Sequence, residues 1–302
     1  MINWYRKELQ KYQNKHVLVT GASGFLGSRL FDILNLLKAN TTGVTKSNSG
    51  SSDLMITCDL MNSDACETVF KDKQYDVIFH MAGWVSNDTT IPSFKKAVDN
   101  NVIPTLNVIQ GIQNYMPNSN LVLPGSQLEN SKSPTPYSLS KSVTSLYVNY
   151  FKKTHLANIT TLEICATYGP NQHAHNLVPL TIQSLLNNKQ LVLKLNRACN
   201  ALYLDDTVNA LLLAGLNPCY NKSLIISSEK IITVRDITNC ISSLMQKDSS
   251  YISFESDDML SDVILKQDQH KEETYNHLNW RPMWTLQEGI EQTISSYINK
   301  DH

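Results

Sequence analysis

Tyr137 and Lys141 stand four residues apart in Tyr137-Ser138-Leu139-Ser140-Lys141, at the head of an amphipathic run reaching about Lys153. On a helix, that spacing puts both side chains on one face. A cation beside a phenol favours the phenolate, so Tyr137 is expected to have a lowered pKa and to act as an acid or base near neutral pH. Ser126, at the end of the preceding strand, can hydrogen-bond the same substrate oxygen. Tyr-x-x-x-Lys is common and usually means surface packing; here an upstream Ser and an earlier glycine turn give it a catalytic reading. That turn, Thr20-Gly21-Ala22-Ser23-Gly24-Phe25-Leu26-Gly27, separates an apolar run, His16 to Val19, from an amphipathic one, Phe25 to Leu37. Gly21 allows the sharp bend, Gly24 lets a diphosphate approach the backbone, and Gly27 lets the helix pack closely on the strand. The helix start offers unpaired N–H groups and a positive dipole end to phosphates. Gly21, Ser23, Gly24, Phe25, Leu26 and Gly27 are thus candidate dinucleotide contacts, although three glycines alone also suit a tight strand-to-helix turn.

Strands and helices must alternate to position these groups, and the chain reads that way. In a dinucleotide fold the end of the second strand, here about Thr41 to Thr45, meets the adenosine ribose, where an acid favours NAD. The segment reads Thr45-Lys46-Ser47, with no carboxylate to repel a 2′-phosphate. Lys46 and nearby hydroxyls can bind one, which points to NADP(H) over NAD(H); the plainer reading of Lys46 is a solvated charge. A third strand, Leu54 to Cys58, ends at Asp59-Leu60. Asp59 either accepts a hydrogen bond from the adenine amino group or caps the helix beginning near Ser63. The fourth strand, Asp76 to Phe79, runs into His80-Met81-Ala82-Gly83. Small residues there let a cofactor lie against the backbone at the strands' carboxyl ends, so Met81, Ala82 and Gly83 are candidate contacts, and His80 reads as packed. A long helix, Ala97 to Tyr115, carries Asn101, a candidate structural hydrogen-bonder. The fifth strand, Leu121 to Leu123, leads through a polar loop, Gln127 to Pro136, to the Tyr137 helix, and the sixth strand is Ile159 to Cys165. The expected fold is α/β: a Rossmann-type, doubly wound, mostly parallel sheet over residues 15–170, after an N-terminal extension, 1–14, read as a short docked helix. Beyond residue 170 the segments are shorter and more mixed. Residues 171–302 are expected to form a smaller mixed α/β substrate lobe interleaved with the end of the sheet, with Lys247 to Ser261 its most loop-like stretch.

Composition narrows the class of function. The 302 residues carry 26 basic and 27 acidic side chains, a net charge of −1, which gives no long-range pull toward nucleic acid or anionic membrane. No apolar run approaches the roughly 18 residues that span a bilayer. The opening, Met1 to Asn14, lacks the apolar core of a secretory signal. The six cysteines show no Cys-x-x-Cys pair and no His at metal-ligand spacing, so reduced thiols, no metal and a cytoplasmic location are expected.

Together these residues resemble the extended short-chain dehydrogenase/reductase family, in its nucleotide-sugar epimerase, dehydratase and reductase branch. The resemblance covers nearly the whole chain: Thr20 to Gly27, Asp59-Leu60, His80 to Gly83, Asn101-Val102, Ser126, Tyr137 to Lys141 and Tyr168-Gly169-Pro170. It continues through Asn176-Leu177-Val178-Pro179, Tyr203 to Asp206 and Leu278-Asn279-Trp280-Arg281-Pro282. It implies an enzyme with a bound nicotinamide dinucleotide and a sugar carried on a nucleoside diphosphate. Tyr137 would exchange a proton with the sugar oxygen, Lys141 would bind the nicotinamide ribose and tune Tyr137, and Ser126 would orient the oxygen. Asn176 would contact the diphosphate, or cap a helix; Gln127 would lie at the sugar. A homodimer through the helices near residues 98–115 and 137–153 is expected by the same analogy.

The departures from the family pattern narrow the chemistry. Family dehydratases carry an Asp-Glu pair directly after the Ser or Thr, to remove water from C5 and C6; this chain has Gln127-Leu128. Members that combine 3,5-epimerisation with reduction place a Cys where Leu128 stands. An apolar Leu128 moves no proton, which leaves hydride chemistry at one carbon. The gap from Ser126 to Tyr137 is shorter than the family usually shows, and Glu163 stands where an Arg is common. Cys199 replaces the Arg that often grips the diphosphate, with Arg197 two residues earlier as its candidate substitute. The expected activity is NADPH-dependent reduction of the C4 ketone of a nucleotide-linked 4-keto-6-deoxy sugar, in deoxy-sugar biosynthesis for a surface polysaccharide such as the lipopolysaccharide O-antigen. An NAD-dependent 4-epimerase is the alternative, and a non-catalytic dinucleotide-binding protein a third reading.

Overall fold

Val17, Leu18 and Val19 are fully buried in succession, the pattern of a strand covered on both faces. They lie in β1 (His16–Thr20) of a computed structural model that describes residues 7–47, 54–86, 88–130, 134–154, 157–220, 222–258 and 271–298. The chain divides into two compact units, Met1–Glu163 with Val208–Leu224, and Ile164–Thr207 with Ile225–His302.

After β1 the first unit runs α1 (Phe25–Leu36), β2 (Asn40–Thr45), β3 (Met55–Thr57), α2 (Ser63–Phe70), β4 (Val77–His80), α3 (Ile91–Ala97), α4 (Ile103–Tyr115), β5 (Asn120–Ser126), α5 (Pro136–Lys153) and β6 (Ile159–Ile164). The second holds β7 (Ala166–Tyr168), α6 (Leu177–Leu186), β8 (Leu191–Leu193), β9 (Asn196–Cys199) and β10 (Ala201–Tyr203). Then come α7 (Leu204–Leu216), which leads back into the first unit, and β11 (Leu224–Ile226). The second unit resumes with β12 (Ile232–Thr233), α8 (Val234–Leu244), β13 (Ile252–Phe254), β14 (Asp257–Asp258), a helix α9 over 271–278, and α10 (Leu286–Ile298).

The main sheet has seven strands in the order β11-β6-β5-β4-β1-β2-β3. From β5 to β3 every pairing is parallel, for example Leu18 opposite Thr42 on one side and Ile78 on the other. The order reverses between β1 and β4, the switch point where ligands of such sheets bind at the strands' carboxyl ends. This is the doubly wound Rossmann-type sheet that the strand–helix alternation predicted. Alternate residues feed opposite faces. Leu18, Val44, Ile78 and Leu121 pack with Phe70, Val108, Ile112 and Val148 from α2, α4 and α5. Val77 and Phe79 point to the other face, where Gly215 of α7 approaches so closely that a Cβ would stand 3.0 and 2.9 Å from them. The second unit has its own core, with Tyr168, Ile182, Tyr203, Ile237, Ile241 and Ile290 at its centre.

The N-terminal helix is a 3-10 helix, Lys7–Tyr12, with Leu9 and Tyr12 fully buried; Met1 to Arg6 lie outside the described residues. The expected single helix from Ala97 to Tyr115 is longer and irregular: α3 and α4 are joined by a π-helical turn, Val98–Val102. Pro104 has no N–H for a regular turn and crowds the one before it, and the wider turn closes with the Ile103 N–H on the Val98 carbonyl. The polar loop after Ser126 contains a 3-10 turn, Gln127–Asn130. The Lys247-to-Ser261 loop holds a 3-10 turn (Ser249–Tyr251), β13 and β14, and its last residues lie outside the described ones. Among the described residues, no helix is long and apolar enough to cross a membrane.

Candidate active site

The glycine turn opens at the switch point. Gly21 has φ 65°, and a Cβ on it would lie 2.6 Å from the Ala82 nitrogen, so both conformation and space require glycine. The Met81 N–H donates to the Thr20 carbonyl at 3.1 Å and the Ala82 N–H to the Thr20 hydroxyl at 3.2 Å, which sets Met81 to Gly83 beside the turn. Gly24 occupies the N-cap of α1 without any side-chain cap, and Ser23 and Gly24 are exposed. Phe25 and Leu26 begin the helix and Gly27 is buried against the Gly21 carbonyl. An uncapped helix start behind a turn of small residues fits a diphosphate. His80 is wholly buried between the Thr20 hydroxyl (2.8 Å) and the Thr105 hydroxyl (3.2 Å), and burial first, Lys141 second, push its pKa down to about 3. It is a packed, neutral histidine, as its setting in the sequence suggested.

At the end of β2 the sequence reading needs correction. Lys46 forms an ion pair with Asp59 at 3.1 Å, so a carboxylate does stand beside the end of β2. The cause is sheet register: Thr45 pairs with Thr57, and the residues just beyond them meet. Asp59 also accepts the Met61 N–H at 3.1 Å, while the α2 cap is Asn62, whose side chain accepts the Ala65 N–H at 3.0 Å. The capping alternative for Asp59 therefore falls. Thr45 is buried and donates to the Ser47 carbonyl at 2.7 Å, and Leu60 is buried with its carbonyl held by Asn107 at 2.8 Å.

Ser126, Tyr137 and Lys141 come together at the ends of β5 and α5. The head of α5 is fixed by a capping box between Thr135 and Ser138, with Pro136 in the first turn. Tyr137 follows at once, half-buried, its phenol hydrogen-bonded to the Ser126 hydroxyl. Lys141, one turn on, donates to the Pro124 carbonyl at 2.8 Å. The expected lowering of the Tyr137 pKa is corrected: burial raises it most, the Ser126 hydrogen bond lowers it and nearby Glu129 raises it. The Lys141 ammonium, itself pushed down by burial, is spent on a backbone carbonyl. Tyr137 in this state is a protonated phenol.

The sequence reading missed Glu129 and Ser140, and it noted Glu163 only as a departure from the family pattern. Glu129 accepts the Ser126 N–H at 2.7 Å, a contact that its Ser-x-x-Glu spacing encodes as a capping box. Glu163, on β6, has its pKa pushed up to about 6 by burial first and by Glu129 second. Ser140 links the helix to Asn101, whose amide donates to the Ser140 hydroxyl at 2.8 Å and the Trp84 carbonyl at 2.9 Å and accepts the Trp84 N–H at 2.7 Å. Asn101 is thus a structural hydrogen-bonder, but it joins α5 to the loop after β4 and not to the sheet that was expected. Gln127 holds a buried side-chain oxygen without a hydrogen-bond partner. In the second unit, Asn176 is exposed at the N-cap of α6 but makes no side-chain cap, and Arg197 is exposed on β9, where its charge lowers the Cys199 pKa against burial.

Residues 17–223 match the NAD dependent epimerase/dehydratase family, more than half of the chain. The chain belongs to this family. Among the relatives of this epimerase/dehydratase chain, the dTDP-D-glucose 4,6-dehydratase of Dictyostelium discoideum is 26% identical over 64% of the chain, which spans 54% of that protein. The dTDP-glucose 4,6-dehydratase of Haemophilus influenzae is 22% identical over 94% of this chain and 98% of its own length. Among solved structures, the UDP-glucose 4-epimerase of Thermotoga maritima, seen with UDP-glucose, superposes with TM-score 0.81 at 20% identity, covering 95% of this chain and all of the other.

Proposed function

We propose that this chain is an NADPH-dependent reductase of the C4 ketone of a nucleoside-diphosphate-linked 4-keto-6-deoxy sugar, supplying a deoxy sugar for a surface polysaccharide. The observation that carries this reading is the protonated, half-buried Tyr137 phenol on the Ser126 hydroxyl, with Leu128 rather than a carboxylate two residues beyond that serine. A reduced nicotinamide dinucleotide, when bound, supplies the hydride to C4. Ser126 holds the C4 oxygen by a hydrogen bond. Tyr137 donates its proton to that oxygen as negative charge develops, and the raised phenol pKa keeps the proton in place until then. Lys141 offers a positive charge near the resulting phenolate. Gly21, Ser23, Gly24, Phe25, Leu26 and Gly27 would hold the diphosphate of the dinucleotide, Met81 to Gly83 its nicotinamide half, and Thr45, Lys46, Asp59 and Leu60 its adenosine. The unpartnered Gln127 oxygen suits a sugar hydroxyl; Asn176 and Arg197 are carried as diphosphate contacts on the family resemblance alone.

One observation favours a second reading. The Asp59 carboxylate on Lys46 weakens a 2′-phosphate site and suits NAD, the cofactor that a 4-epimerase keeps bound. Oxidation of NADPH and NADH, run in parallel with GDP-, CDP-, dTDP- and UDP-linked 4-keto sugars, decides between them. Faster NADPH oxidation with one of these is expected; tightly bound NAD and sugar interconversion without added cofactor would establish the epimerase. The homodimer belongs to the same proposal. Leu139, Val143, Leu146, Tyr147 and Tyr150 form an exposed stripe along α5, Leu146 at 71% exposure, which suits a second copy. Leu146→Asp should then sediment as a monomer; an unchanged mass removes the stripe from any interface.

A further inference from the structure

Glu129 lies in the turn that follows Ser126, yet its carboxylate is turned inward. Oε1 accepts the Ser126 N–H at 2.7 Å, and Oε2 accepts the Ser145 hydroxyl at 2.7 Å. Its main-chain carbonyl takes the Ser142 hydroxyl at 2.6 Å, so the turn is bound to α5 at two points and to the end of β5 at a third. A Cβ on Gly125 would stand 2.7 Å from Oε1; the glycine leaves the carboxylate its seat. The ionisable groups facing it are Tyr137 and Lys141 from α5 and Glu163 from β6, while His80, at the end of β4, faces Lys141.

We propose that Glu129 is a positioning residue of the active site: its carboxylate fixes Ser126 through the backbone N–H and supplies the standing negative charge that balances the Lys141 ammonium. A buried ammonium whose direct partner is a neutral carbonyl needs an anion nearby to stay charged. Glu129 acts in that sense, holding the Lys141 pKa up against burial. The same charge raises the Tyr137 pKa, so one carboxylate keeps both protons of the pair in place. For the reaction, this assignment rests on the ketoreductase reading; for the arrangement it does not.

The test is an NMR titration of protein labelled with 13C at lysine Cε, with no substrate or cofactor added, the Lys141 signal being identified by its loss in Lys141→Arg. In Glu129→Gln the amide oxygen still accepts the Ser126 N–H while the charge is gone. Its Lys141 midpoint is expected at lower pH than in the wild type, and the alkaline limb of kcat for keto-sugar reduction should move the same way. Gly125→Ala, which obliges only the flexible carboxylate to swing aside, should shift the midpoint in the same direction and lower kcat roughly 10²-fold through misplacement of Ser126. A midpoint unmoved or raised in Glu129→Gln overturns the proposal, as does a kcat loss uniform across pH. If Glu129→Gln does not fold, the Gly125→Ala midpoint decides by the same criterion. A shifted midpoint in a protein that reduces none of the keto sugars overturns the ketoreductase reading and leaves Glu129's role standing; activity with an unmoved midpoint does the reverse.

Discussion

Replacing Tyr137 by Phe removes one hydroxyl and, with it, the proposed proton donor. Turnover should fall by roughly 10²–10⁴-fold, the range for a lost general acid, while dinucleotide binding persists; near-normal kcat would take Tyr137 out of the mechanism. Glu163 offers a separate test at the same scale. Its carboxyl has an ordinary pKa of 4.5 and is pushed to about 6 in the fold. A raised carboxylate pKa contributes stability below the unfolded value, and that contribution is lost as pH rises through the folded one. The loss between about 4.5 and 6 amounts to at most about 2 kcal/mol. Glu163→Gln should therefore raise the melting temperature at about pH 8 and leave it unchanged near pH 4; equal melting curves at both values would show that the carboxyl is not strained. The residue types of the candidate site were legible in the sequence because Tyr137, Lys141 and Ser126 are tied to local features, a helical repeat and a strand end. Their protonation was not. The spacing of Tyr137 and Lys141 implied a helpful cation, but burial raises the Tyr137 pKa and Pro124 takes the ammonium's hydrogen bond, facts that depend on everything packed around α5.

At the scale of elements, the alternation of strand and helix was readable because uninterrupted apolar runs, such as Val17 to Val19 and Val77 to Phe79, mark strands buried on both sides. Two features were hidden. The π-helical turn between α3 and α4 leaves the apolar periodicity nearly intact, and only Pro104 hinted at it. The Lys46–Asp59 pair joins residues thirteen apart in sequence, and finding it required the parallel register of β2 on β3. The π turn has a visible result: it sets Asn101 to bond both backbone groups of Trp84 and the Ser140 hydroxyl of α5. Asn101→Ala would leave the Trp84 N–H and carbonyl without that partner, while the Ser140 hydroxyl keeps the Tyr137 carbonyl at 2.7 Å. A loss of about 1–3 kcal/mol is expected, the cost of an unsatisfied buried polar group, read by urea unfolding of the cofactor-free protein. No change in the midpoint would mean that water replaces the side chain at no cost.

On the scale of the whole chain, one contact ties together distant parts of the first unit. The Tyr12 hydroxyl donates to the Leu212 carbonyl at 2.7 Å, and its ring lies 6.3 Å from that of Phe79. Val208, Ala210, Leu211, Leu212, Leu213 and Ala214 are all fully buried. Tyr12 is thus latched by a stretch made two hundred residues later. During synthesis, a ribosome that has finished β6 has still not delivered the piece that seals the first unit, so the nascent sheet must wait with an apolar face open. A polypeptide stopped at Glu163 should bind hydrophobic dye and resist protease poorly, and adding a peptide of residues 204–226 in trans should restore protection. Should the truncated polypeptide prove protease-resistant alone, the latch is dispensable.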